Sequence, residues 1–178
     1  PIFGQYKDQD NNGVINEADR HFYHKPAPDF TFGFNTSISW KNWTAALSAH
    51  AALGNWVYNN VASNSEMFKD LWVNSFVSNR VSSALYSNFD DAAYISDYYV
   101  QDASYIKLDN VTLGYTFPKL FTAGKNHDRN ATLNIFGTVQ NIYTFTKYTG
   151  IDPEVSGGID GTVYPRPRTY VIGVKFNF

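Results

Sequence analysis

Cysteine is missing from this 178-residue sequence, which removes disulfide frameworks, thiolate zinc sites and cysteine nucleophiles together and leaves the redox compartment undecided. Long apolar runs are missing too. The most apolar stretch, Ala45 to Leu53, is interrupted by Ser48 and His50, far short of the roughly 18 apolar residues of a membrane-spanning helix. Charge is sparse: 14 Lys and Arg stand against 16 Asp and Glu, for a net charge of -2 with no basic run. That balance excludes nucleic-acid binding and gives no footprint for an anionic bilayer surface. No basic segment followed by an apolar one opens the chain, which begins at Pro1. A signal peptide is therefore either removed or encoded further upstream.

What is present is aromatic: 14 Phe, 13 Tyr and 4 Trp, 17% of the chain, equal to its charged fraction. Apolar residues recur with period 2, the spacing of a strand with one apolar face. Phe30, Phe32, Phe34, Ile38 and Trp40 alternate with Thr31, Gly33, Asn35, Ser37 and Ser39. Across Lys41-Asn42 the pattern restarts with Trp43, Ala45, Leu47, Ala49, Ala51 and Leu53. This predicts a hairpin whose tight turn uses Asn42 at positive φ. Alternation resumes at Val111, Leu113, Tyr115 and Phe117, where Pro118 is expected to end the strand. A fourth strand is expected from about Ala131, and a fifth over Tyr170, Ile172, Val174, Phe176 and Phe178.

Residues 54–104 and 146–168 read as long loops, the first with a short helix from Glu66 to Val77. Short links at one end of the strands and long ones at the other are the plan of an outer-membrane barrel with long extracellular loops. Trp40, Trp43, Tyr115, Phe117, Phe176 and Phe178 supply an aromatic girdle at the short-link end. The polar face of the strands is Thr, Ser, Gly, Asn and Ala, as in a wide lumen, where a soluble sandwich would carry Lys and Glu. Bacterial single-chain barrels have an even number of strands, so five strands are expected to be a fragment. The expected fold is all-β, with 1–28 as an extracellular loop and 29–178 as five barrel strands.

Three stretches carry a family likeness. Tyr105 to Pro118 (YIKLDNVTLGYTFP), Gln140 to Glu154 (QNIYTFTKYTGIDPE) and Tyr164 to Tyr170 followed by a Gly173 to Phe178 strand resemble the C-terminal portion of SusC/RagA-family TonB-dependent outer-membrane transporters. Asp8 to Asp19 and Pro28 to Phe34 are similar to further family segments. The resemblance implies the last strands of a barrel of about 22 strands with a plugged lumen. It also implies a SusD-like surface lipoprotein as partner, energy relayed from the TonB complex, and import of oligosaccharides or peptides. The implied location is the outer membrane, in contact with its lipid, of a Gram-negative bacterium of the Bacteroidota type. The alternative is a soluble carbohydrate-binding β-domain with a structural metal.

One motif carries metal chemistry. Asp8, Asp10 and Asn12 occupy positions 1, 3 and 5 of an EF-hand-like loop, Gly13 its sharp turn, the Val14 carbonyl position 7, Asn16 position 9 and Asp19 position 12. Hard oxygen donors at this spacing suit Ca²⁺ ahead of Mg²⁺, in a structural role; a metal-free acidic turn is the alternative. Family members often carry Asn then Asp where this chain has Asp10 then Asn12. Catalysis finds no such support. His21, His24, His50 and His127 are scattered, and Asp90-Asp91 and Asp152/Glu154 are loop acids without a dry pocket. The chain is therefore expected not to be an enzyme. Trp56, Tyr58, Trp72, Tyr94, Tyr98 and Tyr99 crowd the first long loop. Flat rings of this kind pack a loop against itself or a partner, or stack on a sugar or peptide; packing is the preferred reading, and Trp56, Tyr58, Trp72, Tyr98 and Tyr99 remain candidates for substrate or partner contact.

Overall fold

The computed structural model describes residues 6–73, 76–77, 82–85, 96–123, 129–161 and 164–177. Tyr94, Asp90-Asp91, His127 and Phe178 lie outside them. The chain forms two compact units: the described residues of 1–28, 54–104 and 147–164, and those of 29–53, 105–146 and 165–178.

The second unit is one antiparallel sheet. Its strands are β1 (Phe30–Trp40), β2 (Trp43–Leu53), β7 (Tyr105–Ala123), β8 (Arg129–Thr146) and β9 (Thr169–Asn177), in the order β1-β2-β7-β8-β9. Every strand thus pairs with its predecessor in the sheet. The β1–β2 register runs from Phe30 opposite Leu53 to Trp40 opposite Trp43, as the alternation requires. At the turn, positive φ falls on Lys41 (53°) rather than on Asn42.

Most large apolar side chains of this sheet are exposed rather than buried. Phe30, Phe32, Phe34, Ile38, Trp40, Leu113, Ile135, Tyr143, Phe145, Tyr170, Ile172 and Val174 are all exposed, and by register they share one face. Hydrogen-bonded polar pairs fill the other face. Thr112 and Thr138 hydroxyls lie 2.8 Å apart, and the Asn134 amide donates to Thr116 Oγ1 at 2.8 Å. Phe136 is a large apolar exception there. It stands in register between Gly114 and Gly173. A β-carbon at Gly173 would collide with its ring, and one at Gly114 would meet Thr44 Oγ1 at 2.7 Å. Gly173 therefore leaves the space that this ring fills, and Gly114 makes room for Thr44.

Three sequence expectations need correction here. β7 starts at Tyr105 rather than Val111 and continues through Pro118 to Ala123. It passes Pro118 because the β7–β8 ladder is irregular between Phe117 and Phe121, so the missing N–H falls where pairing is interrupted. β8 correspondingly runs on to Thr146. The helix expected over 66–77 is instead α1, Asn60–Ser65, followed by a 3-10 turn at Phe68–Leu71 and the short pair β4 (Trp72–Val73) and β5 (Phe76–Val77). Its start is set by Asn59, whose side chain caps the helix by accepting from the Ala62 amide at 2.9 Å.

The first unit holds the small apolar core: Val57, Ala103 and Tyr148, with Val155 packed against them. A two-stranded ladder, β3 (Trp56–Tyr58) against β6 (Val100–Asp102), supports it. Gln101 fastens the Thr149 backbone and hydroxyl at 3.1 and 2.8 Å. The Tyr148 hydroxyl donates to Asp160 at 2.6 Å, and Asp160 is fully buried.

Candidate functional site

Within the first unit the acidic loop closes on itself. Asn11 and Gly13 take φ of 58° and 82°, the left-handed conformations that Asn and Gly adopt at least cost. The turn lets Asp8 accept from the Asn12 and Gly13 amides at 3.3 and 2.7 Å, while Asp10 accepts from the Asn12 amide at 3.1 Å. Asn16 caps the 3-10 turn Glu17–Asp19, and Asp19 bonds back to the Asn16 and Gln9 amides at 2.8 and 2.7 Å. Those two amides hold the Asp19 carboxyl below the usual carboxylate range. Carboxylate oxygens of Asp8, Asp10 and Asp19 converge within 4.8 Å of one another. Three like charges so close favour a cation between them. The donor set, carboxylates with the Asn12 and Asn16 side chains and the Val14 carbonyl nearby, fits a hard oxygen-liganded ion such as Ca²⁺ and offers no soft ligand for a transition metal.

The loop aromatics fall into separate groups. His24 stacks flat on Trp56, with ring centres 3.5 Å apart and planes 4° from parallel, and Tyr23 sits edge-on to both. The Trp56 amide donates to the Lys25 carbonyl at 3.2 Å, which holds that segment alongside β3. One face of Trp56 is thereby covered by His24. Tyr58 and Tyr98 both pack edge-on against Tyr99, which is buried; burial raises the Tyr99 phenol above its usual range. Tyr98 and Trp72 are exposed. Among the described residues, ring contacts join Tyr58, Tyr98 and Tyr99 in one group and Trp56 with His24 and Tyr23 in another. His24 was the partner that sequence reasoning missed, because it lies far from Trp56 in the chain and in no periodic pattern.

A second cluster lies on the polar face of the sheet. His50 Nδ1 is 2.8 Å from Asp109 Oδ2, its ring is edge-on to Tyr105, and Lys107, its register partner, is buried. It gathers where β7 bulges. Ser48 pairs with Asn110 and Ala49 with Leu108, so Asp109 is the extra residue. On the other side Asn141, at φ 52°, and Ile142 together face that one residue. Arg168 donates to the Ile142 carbonyl at 2.6 Å, and Asn141 donates to the Pro167 carbonyl at 2.9 Å. Bulges of this kind re-aim side chains.

No protein-family model matches the chain. Among curated proteins it is 34% identical, over 100% of its own length and 18% of the relative's, to TonB-dependent receptor SusC of Bacteroides thetaiotaomicron. It is 31% identical, over 97% of its length and 19% of the relative's, to TonB-dependent receptor P3 of Formosa agariphila. The chain thus spans about a fifth of the curated relatives it matches. Among solved structures it is similar to the RagAB peptide importer in a closed-closed state, with TM-score 0.70 and 25% identity over 92% of this chain and 19% of that one. The open-open state gives TM-score 0.67.

Proposed function

The chain belongs to the SusC/RagA family of TonB-dependent receptors, about a fifth of whose length it spans, and on that footing we propose that it forms barrel wall and extracellular loops of an outer-membrane nutrient importer. The importer takes up oligosaccharides or peptides together with a SusD-like surface lipoprotein and draws its energy from the TonB complex. One observation carries the reading: an exposed, predominantly apolar face across five paired strands, backed by a polar face whose side chains bond each other. In water that apolar face would be a large liability; against lipid it is the stable arrangement. The soluble carbohydrate-binding alternative has no use for it. The segment's part in transport is passive. It closes the lumen, lines it with small hydroxyl and amide groups, and presents 1–28, 54–104 and 147–164 outside, where loop aromatics meet substrate or the lipoprotein. Fractionation of cells expressing the full-length receptor tests this. Recovery in the outer-membrane fraction as a heat-modifiable species, co-purifying with a lipoprotein, is expected; recovery as a soluble protein overturns it.

The acidic loop is proposed as a structural Ca²⁺ site, with Asp8, Asp10, Asn12, Asn16, Asp19 and the Val14 carbonyl as ligands. The ion would fix the loop's conformation and take no part in import chemistry. Calorimetry of the full-length receptor at millimolar Ca²⁺, with Asp8→Ala as control, tests it. Absence of a Ca²⁺ signal that Asp8→Ala removes makes the motif a turn only.

A further inference from the structure

The net charge of -2 conceals an uneven distribution. The short-link end of the sheet, residues 41–42 and 118–130 with the ends of β7 and β8 included, carries four of the 14 cations (Lys41, Lys119, Lys125, Arg129) against a single acid, Asp128; fifteen of the 16 acids lie elsewhere. The fold brings the described cations of these links to one edge. Trp43 pairs with Tyr115, and the Thr116 amide donates to the Asn42 carbonyl at 2.8 Å, so the β1–β2 turn lies beside the stretch of β7 that leads to Lys119. Lys41 takes φ 53° at the turn, and its Nζ lies 4.7 Å from the centre of the Trp40 ring. Trp40 and Trp43 face each other in register and both are exposed. Tyr115 packs edge-on against Trp43 and Phe117, each at 4.8 Å, and Lys119 follows, also exposed. Among the described residues of the five strands the one carboxylate is Asp109, which is bonded to His50 near the other end of the sheet.

We propose that Lys41 and Lys119, set on this Trp/Tyr belt, bind the headgroup phosphates of anionic phospholipids in the leaflet at the short-link rim. The inference rests on the reading of the sheet as a barrel wall. Indole and phenol rings settle at the headgroup level, and long lysine stems carry their ammonium groups from there into the phosphate layer. An anionic lipid surface attracts each such cation within a Debye length, and no described carboxylate on the rim offsets them. The absence of a basic run in the sequence gave no sign of this surface, because its cations are separated in the chain and are brought to the same end of the sheet only through strand pairing.

The test is native mass spectrometry of the detergent-purified full-length receptor, titrated with phosphatidylglycerol or with phosphatidylethanolamine of the same acyl chains. Tighter binding of phosphatidylglycerol is expected. Removing each charge, as Lys41→Asn, which tolerates the turn's positive φ, and Lys119→Gln, is expected to weaken it roughly fivefold. Lys41→Arg is expected to retain it, and high salt to erase the preference. Unchanged phosphatidylglycerol affinity in the double variant, with heat-modifiability intact, overturns the lipid site and leaves the barrel reading standing. A parent protein that is not heat-modifiable overturns the barrel reading, and the lipid site with it.

Discussion

Single side chains decide how firmly the loop unit is held. Asp160 is fully buried, and one of its oxygens has no partner among the described residues, so its carboxylate leans on the hydrogen bond that the Tyr148 hydroxyl donates. Tyr148→Phe would leave that carboxylate stranded and is expected to cost about 2–3 kcal/mol of local stability. Hydrogen exchange across 147–161 in the full-length receptor would register the loss. Burial first, and then the Asp160 hydrogen bond, raise the Tyr148 phenol above its ordinary value of 10.0. A group whose pKa is higher in the folded state stabilises that state fully below the unfolded value and loses its contribution as pH climbs past it. Protection of the loop is therefore expected to hold up to about pH 10 and to decline above. On the sheet, Gly173→Val forces a branched side chain into the Phe136 ring and should cost about 1–3 kcal/mol. Phe136→Ala combined with it should recover part of that loss in urea unfolding, since it vacates the same space.

At the scale of the strand, one inserted residue governs which side chains reach which face. Odd positions of β7 are apolar from Val111 to Phe117, but beyond Asp109 the apolar face passes to Leu108 and Ile106. A period-2 reading cannot cross such a change of parity, which is why the alternation marks the strand only from Val111. The β1–β2 hairpin and β9 were legible because no bulge interrupts them. The acidic loop was legible because its residues are contiguous, whereas the His24–Trp56 stack and the His50–Asp109 pair join distant segments and left no local pattern. β9 offers a direct test of facing. Ile172 and Val174 are exposed on the apolar face, and Lys175 pairs with Asn134 on the polar one. Ile172→Lys or Val174→Lys should each cost roughly 2–4 kcal/mol if placed near mid-bilayer and impair insertion, while Lys175→Glu should be mild. Equal effects at positions 174 and 175 in a heat-modifiability assay would mean that the strand has no lipid side.

For the molecule as a whole the decisive quantity is orientation. The β1–β2 link is two residues, whereas the links after β2 and β8 carry the loop unit. An epitope inserted after Gly157, an exposed loop position, should be labelled on intact cells, and one after Asn42 only once the envelope is opened. Surface labelling at Asn42 alone would reverse the topology.

The strand order also bears on how the segment behaves in isolation. Among the described strands β1 and β9 each have one neighbour in the sheet, and the sheet between them is apolar on one side. Unpaired edges are templates for further strands. Expressed alone, these residues should add edge to edge into insoluble polymers, and a short peptide matching β1 or β9 should act as a seed for that growth.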